Sequence, residues 1–186
     1  MKAFTRGVSL YAALCLGLII EQPEAAADRQ NRRTTSFEAL LTGQTARAGD
    51  AKKNQQFSQL VESVHRQVND FRRLQGLLPL TLNPIISAQA REHSAEMARN
   101  GNAISHRGFA QRLQDIREKL PYRAGAENVA ASVGYENPAQ TVVEGWKNSP
   151  AHRKNILGNY SLTGIGIAQS DQGGYFFTQI FLEPLR

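Results

Sequence analysis

The sequence predicts an α+β domain in which helices cover a small antiparallel sheet. Apolar residues recur at spacings of three and four over residues 57–74, a pattern typical of an amphipathic helix. Near the C-terminus, residues 162–167 alternate, a turn-forming loop follows at 171–174, and residues 175–182 are rich in β-forming types. Because the helical segments precede this hairpin, the class is α+β.

The N-terminal segment, residues 1–27, is typical of a secretory signal peptide. A charged start precedes an apolar run over residues 8–20, which is too short for a good membrane span, and Ala25–Ala27 supplies a cleavage site. An uncleaved anchor is the alternative. We expect an exported protein, secreted or periplasmic, with no stable transmembrane segment after processing.

The only cysteine, Cys15, lies in this apolar run and is expected to leave with the signal peptide. Leu14 before it does not suit a lipoprotein acylation site. The mature chain would then have no thiol, which excludes cysteine nucleophiles and disulfides. The formal net charge of +6 suits an anionic envelope component or lipid surface as partner, although solubility explains it equally well. No nucleic-acid-binding motif is present, and export argues against one.

Residues 28–56 are polar, basic and without apolar periodicity, which predicts a disordered linker. The helix over residues 57–74 should end at Gly76, a residue type that favours the position after a helix. His65 lies beside its apolar stripe, and we expect it to be partly exposed. Residues 77–82 should form a short extended link.

Four further elements follow in order. Asn83-Pro84 should begin a second helix as N-cap and first helical residue, and this helix should end at Asn100-Gly101. A short helix is expected over residues 108–120 and an extended segment over 122–133. Asn137-Pro138 should begin a helix that Ser149-Pro150 interrupts.

On the second helix, His93 and Glu96 are spaced to contact each other. A packed or solvated pair is the expected interpretation, rather than metal ligands. Gly164 and Gly166 lie in a predicted strand, so close backbone packing explains them better than a dinucleotide-binding loop. The sequence contains no zinc-protease helix, nucleophile elbow or phosphate loop.

The candidate site consists of His106, Glu127, Ser149 and His152. Two imidazoles and a carboxylate, from His106, His152 and Glu127, could hold a divalent metal such as zinc with an open position. The same groups could act as general acid and base. They could also form a structural polar network. Spacing alone leaves these three interpretations open.

A series of short motifs occurs in an order and spacing that chance does not explain. They are Val68-Asn69-Asp70-Phe71-Arg72, Gly76-Leu77-Leu78-Pro79-Leu80, Ala90 to Met97, Ser105-His106-Arg107-Gly108-Phe109, Glu127-Asn128-Val129-Ala130, Val143 to Leu157, Gly164-Ile165-Gly166 and Thr178-Gln179-x-Phe181. By these motifs residues 57–186 resemble a CAP domain of the bacterial SCP-like branch. CAP domains occur in cysteine-rich secretory proteins, antigen 5 and pathogenesis-related proteins. The resemblance implies an α-β-α sandwich, with helices on both sides of a small, mainly antiparallel sheet.

The resemblance also implies a cleft lined by two histidines and two acidic residues, which binds a divalent metal in some members. His106 and His152 match the histidines and Glu127 matches the first acid. The second acid position, three residues after Trp146, is Ser149 here. The tetrad is therefore incomplete, which should weaken metal binding and removes one candidate base.

Family membership implies a fold more strongly than an activity. The incomplete tetrad favours a non-enzymatic cleft-binding protein for an envelope lipid, a glycan or a metal ion. One alternative is a metal-assisted hydrolase acting on peptide or cell-wall polymer. Another is a structural or interaction module in which the four residues only hold the fold together.

Overall fold

The structure is a computed structural model that describes residues 23–100 and 103–185, with side chains from residue 47 onward. The chain divides into two compact units between Gly49 and Asp50. Residues 1–22 of the predicted signal peptide lie outside the described residues. Within the described part of the chain, no helix is both long and apolar enough to cross a membrane.

Helix α1 covers Pro23–Leu74. Its backbone is helical through residues 28–56, where the polar, basic composition predicts a disordered linker. This stretch has no proline, and its residues are mostly good helix formers such as alanine, arginine, glutamine and lysine. A lack of apolar periodicity indicates that a helix has no face to bury, but it does not by itself prevent helical backbone. The division into signal peptide, linker and domain stays a prediction.

The unit that begins at Asp50 contains the sheet. Its elements after α1 are β1 (Thr81–Leu82), α2 (Pro84–Arg99), α3 (Phe109–Arg117), β2 (Tyr122–Ser132), α4 (Pro138–Asn148), α5 (Pro150–Ile156), β3 (Leu162–Gln169) and β4 (Tyr175–Pro184). The strand order is β1-β3-β4-β2. Strand β1 is parallel to β3, and the β3–β4 and β4–β2 pairs are antiparallel. The predicted hairpin and helix order are confirmed, and the extended link contains the short strand β1.

Two apolar layers confirm the α-β-α sandwich. One sheet face packs against α1, α4 and α5 through a cluster that includes Val68, Trp146, Ile156, Ile165 and Phe181. The other face packs against α2 and α3 through Ile86, Ala90, Ile116, Ile180 and Leu182. Successive strand residues point to opposite faces, and so the neighbours Glu127 and Asn128 of β2 serve opposite layers.

The helix ends follow the predicted signals. Gly76 has φ 75° after the end of α1, and the N–H of Leu77 donates to Arg72 O at 3.0 Å. At the start of α2, Asn83 Oδ1 accepts from Ile85 N at 2.9 Å and from Ile86 N at 3.3 Å. Half-buried His65 contacts Leu80 O at 2.9 Å through Nε2. The predicted partly exposed His65 thus joins α1 to the segment before β1.

Buried Arg72 connects α1 to the region after α5. Its guanidinium donates to Leu78 O at 3.0 Å, to Ile156 O at 2.6 Å, to Gly158 O at 3.0 Å and to Tyr160 O at 3.0 Å. All four acceptors are neutral carbonyls, and burial lowers the pKa of Arg72. The Arg72 side chain therefore donates hydrogen bonds to backbone carbonyls in two separate loops.

Gly164 and Gly166 let α2 lie directly on β3, as the sequence analysis proposed. A Cβ at Gly166 would lie 2.1 Å from Ala90 C and Arg91 N, and one at Gly164 would lie 2.3 Å from Ile86 C. Both neighbours are backbone atoms that cannot move independently. The two glycines therefore set the distance between helix and sheet.

We expect Gly166→Ala to destabilise the protein by about 3 kcal/mol, because the added methyl group would overlap the α2 backbone. Urea unfolding of the full chain measures the change. Gly145→Ala is the matched control, since Gly145 is exposed on α4 with nothing within 4 Å of an added Cβ. That control should be stabilised by up to about 1 kcal/mol. Equal stability of Gly166→Ala and the parent chain would contradict the contact.

Candidate functional site

A buried ion pair between Glu127 and Arg112 lies at the base of the candidate site. Strand β2 directs Glu127 toward α3, and its side chain is only 1% exposed. Arg112 Nε donates to Oε2 at 3.0 Å, and Nη2 lies 2.8 Å from Oε1 and 2.7 Å from Oε2. This two-pronged contact engages both carboxylate oxygens and fixes the orientation of the Glu127 side chain.

Arg112 is not among the site residues predicted from the sequence. It occupies α3 between Phe109 and Ile116, at a helical spacing of three and four from these two apolar residues. A charged residue at such an inward-facing position needs a buried partner of opposite charge. An arginine among apolar helix positions was therefore the sequence signal that could have predicted a buried ion pair. Arg112 Nη1 also donates to Arg107 O at 2.7 Å, which holds the loop before α3.

His106 contacts the carboxylate of this ion pair. Its Nδ1 lies 3.0 Å from Glu127 Oε1, and its side chain is 53% exposed. An ionised carboxylate only accepts hydrogen bonds, so Nδ1 must carry the proton that is donated to Glu127. In the neutral ring, Nε2 is then the unprotonated nitrogen. Glu127 thereby selects the His106 tautomer.

Buried His93 anchors the loop that carries His106. His93 Nε2 lies 2.7 Å from Ser105 O, the residue directly before His106. Its Nδ1 lies 3.3 Å from Glu96 Oε2. The expected His93–Glu96 pair is therefore present and packed, and it supports the backbone next to the candidate site.

A network of two asparagines attaches the backbone of His152 to β2. Asn128 Nδ2 donates to His152 O at 3.1 Å. Asn155 Nδ2 donates to Asn128 Oδ1 at 2.8 Å and to Glu127 O at 3.1 Å. Asn128 is fully buried on the sheet face opposite the Glu127 side chain. Helix α5 is thus attached to the stretch of β2 that carries Glu127.

The two imidazoles influence each other electrostatically. Burial lowers the pKa of His152, and the positive charge that His106 can carry lowers it further. His152 is therefore uncharged at neutral pH. His106 approaches from the loop before α3 and His152 from α5, so the site spans the outer strand β2 from both layers.

Ser149 contributes backbone rather than side-chain chemistry. It follows α4, donates its N–H to Gly145 O at 3.1 Å, and accepts from Arg153 N at 2.8 Å. In the described residues its hydroxyl makes no hydrogen bond to His152. Ser149 therefore ends one helix and begins the next, as predicted, and lacks the base that would activate a nucleophile.

The donor groups permit a test of the predicted metal ligands. Glu127 does not fit as a direct ligand, because Arg112 and His106 already engage its oxygens. It does fit the supporting position from which a carboxylate orients a ligating histidine. Within the described ranges no three His, Cys, Asp or Glu side chains are grouped to hold a metal ion. Of the predicted metal ligands, the imidazoles of His106 and His152 remain, and a metal ion there stays a prediction.

Similarity to known proteins supports the CAP resemblance that the sequence motifs indicate. The family profile described as CAP, the cysteine-rich secretory protein family, matches residues 65–181. The Bacillus subtilis protein YkwD is 30% identical over 163 residues, which cover 86% of this chain and 59% of YkwD. The chain therefore spans less than two thirds of that relative's length.

Solved structures agree with the fold. An extracellular protein containing an SCP domain from Bacillus anthracis is 26% identical with a TM-score of 0.58, covering 68% of this chain and 41% of its own. An outer surface protein from Borrelia burgdorferi has a TM-score of 0.60 at 18% identity, covering 68% of this chain and 94% of its own. The latter likeness concerns the fold alone.

Removing one member of the Arg112–Glu127 pair should be strongly destabilising. We expect Arg112→Met and Glu127→Leu each to lose about 3–5 kcal/mol, because each leaves a buried charge without its partner. The double variant should recover most of that loss. Urea unfolding of all four proteins gives the coupling energy, and purely additive losses would show that the two charges do not depend on each other.

The low pKa of His152 predicts lower stability in acid. The unfolded chain binds the His152 proton at about pH 6.5, above the folded pKa. Stability should therefore be fully present above pH 6.5 and decrease as the pH falls toward the folded pKa. His106→Ala should raise the His152 pKa, which NMR titration of the imidazole measures. An unchanged titration would contradict coupling between the rings.

Proposed function

This chain belongs to the cysteine-rich secretory protein family, in its bacterial SCP-like form, and we propose that it is an exported, non-enzymatic binding protein. Its proposed ligand is a hydroxyl-rich envelope glycan, held between His106 and His152. Export is supported by the signal-like segment at residues 1–27. It is also supported by the description of the Bacillus anthracis relative as an extracellular protein.

The proposal depends on the observation that both carboxylate oxygens of Glu127 already have hydrogen-bond partners. Both of its oxygens are engaged by Arg112, and Oε1 also by His106. A carboxylate whose two oxygens are both engaged by buried partners is not free to contact a substrate. With Ser149 lacking a hydrogen bond to His152 in the described chain, neither residue is set up for acid–base or nucleophilic catalysis.

The remaining polar groups suit a ligand that donates hydrogen bonds. His106 offers an unprotonated Nε2 in a fixed orientation, and His152 is uncharged at neutral pH. Neutral imidazoles accept hydrogen bonds from sugar hydroxyls without requiring a charged ligand. A lipid tail would instead need an apolar lining, which this group of side chains does not provide. The net charge of +6 would bring the protein to anionic wall polymer.

A metal-assisted hydrolase acting on peptide or wall polymer is the second candidate. The observation that favours it is the contact of His106 Nδ1 with Glu127, the arrangement by which proteins orient a metal-binding histidine. A bound cation would supply a polarised water. In that case Glu127 would still act through His106 rather than on the substrate.

The binding proposal predicts that soluble cell-wall glycan fragments bind the full chain and that His106→Ala and His152→Ala each weaken binding at least tenfold. Each variant removes one fixed hydrogen-bonding group. Isothermal calorimetry in low and high salt measures affinity, and binding that survives high salt separates the cleft from general charge attraction. His65→Gln is the matched control, since His65 lies on α1.

Three results would contradict the proposed glycan binding. Product release from wall fragments or peptides, abolished by a chelator and restored by zinc, would favour the hydrolase. Tight one-to-one zinc binding, lost in both histidine variants and without glycan binding, would make the metal ion the ligand. If both variants lose stability while no glycan, lipid vesicle or zinc binds the parent chain, the residues serve only the fold.

A further inference from the structure

The outer edge of β3 is paired over only a small part of its length. Strand β1 contributes two pairs, Thr81 with Leu162 and Leu82 with Thr163. Asn83-Pro84 then begin α2, so β1 cannot continue. Strand β3 runs on to Gln169. In the part of the chain that the structure describes, no strand pairs with this edge beyond Thr163.

The backbone groups of this edge point away from the sheet. Thr81 N donates to Ser161 O at 2.9 Å, and Asn83 N donates to Thr163 O at 2.8 Å. Because strand backbone groups alternate in direction, Ile165 and Ile167 present their N–H and C=O on the same side as Thr163. Among the described residues these outward groups have no hydrogen-bond partner. They form two ready sites for strand pairing.

A groove follows this edge between α1 and α2. Its volume is about 460 Å³. Ile165 and Ile167 lie along its floor, and half-buried Phe57, Val61 and Leu82 supply apolar side walls. An unpaired strand edge beside apolar walls is the arrangement by which proteins bind extended peptides: main-chain hydrogen bonds give affinity and alternate side chains enter the pockets.

Charge gives the groove a second recognition element. Exposed Arg91 of α2 and exposed Glu62 of α1 line its two sides, and in the described ranges neither side chain has a hydrogen bond or ion pair. The α2 side of the groove is therefore the side that favours an acidic group. Gly166 brings the backbone of Arg91 against β3, within 2.1 Å of where a Cβ would stand. An acidic side chain on a strand paired with β3 would therefore lie within reach of Arg91.

We propose that this groove binds an extended peptide segment of a partner protein, which continues the sheet beyond β1. The segment alternates apolar side chains, directed toward Phe57 and Val61, with an acidic residue that pairs with Arg91. A second copy of this domain fits less well, because the edge is recessed between α1 and α2.

The test begins with a displayed library of random octapeptides, selected against the full chain. We expect selected peptides to combine alternating apolar residues with an acidic residue. Each is then synthesised with single N-methyl groups along its backbone. Methylation at alternate positions, where the N–H faces β3, should weaken binding at least tenfold, and methylation at the intervening positions should leave binding within about twofold.

Two variants locate the peptide on the chain. Arg91→Glu should weaken the acidic peptide at least tenfold, and replacing the acidic residue of the peptide by lysine should restore binding. Ser58→Trp, at an exposed position that lines the groove, should block every selected peptide. Arg66→Glu is the matched control on the exposed face of α1, and it should bind the peptides as the parent does. Urea unfolding checks that each variant is folded.

The proposal is overturned if the selection enriches no peptide, or if no alternate N-methyl pattern is found. It is also overturned if binding is unaffected by both Arg91→Glu and Ser58→Trp. Concentration-dependent dimerisation that Ser58→Trp abolishes would make a second copy the occupant instead. Because the peptide groove and the histidine site are tested with different variants, failure of one proposal leaves the other standing.

Discussion

The buried carboxylate of Glu127 is the constraint on which the site depends. A charge at a position that is 1% exposed is tolerated only where a partner is built around it. That partner requires α3 to present Arg112, which in turn orders the loop through Arg107 O. The same carboxylate then orients His106. One desolvated charge therefore couples a strand, a helix and a loop, and none of the three can shift without cost to the others.

Much of the fold was predictable because its signals are local. Asn83-Pro84, Gly76 and the C-terminal hairpin each act through turn or cap chemistry within a few residues. The contact of Arg112 with Glu127 was not predicted, since it joins residues 15 apart through a helix register that only packing determines. The motif resemblance predicts His106, Glu127 and His152 as cleft residues, but it gives no sign that Arg112 and His106 already engage both oxygens of Glu127. For residues 28–56 polar composition and missing apolar periodicity predict a linker, whereas the backbone is helical there, and the division of the chain at this segment stays a prediction.

The two edges of the sheet differ in whether their outward backbone groups have hydrogen-bond partners. On the outer strand β2, Trp146 Nε1 donates to Val129 O at 3.2 Å and Asn155 Nδ2 donates to Glu127 O at 3.1 Å. Side chains from α4 and α5 thus satisfy carbonyls that another strand could otherwise use. In the described chain, strand β3 has no comparable cover beyond β1. The histidine site accordingly lies at an edge closed by side chains, and the peptide groove lies at an edge left open.

The Arg72 contacts bear on how a domain of this family holds together without covalent cross-links. This chain has a single cysteine, so no disulfide can form within it. Arg72 instead ties Leu78 O to Ile156 O and to the loop after α5. A guanidinium keeps its five donors whatever the thiol–disulfide balance of its surroundings. These Arg72 hydrogen bonds therefore form equally well in reducing and oxidising compartments. Folding of this domain accordingly does not depend on an oxidant or a disulfide isomerase.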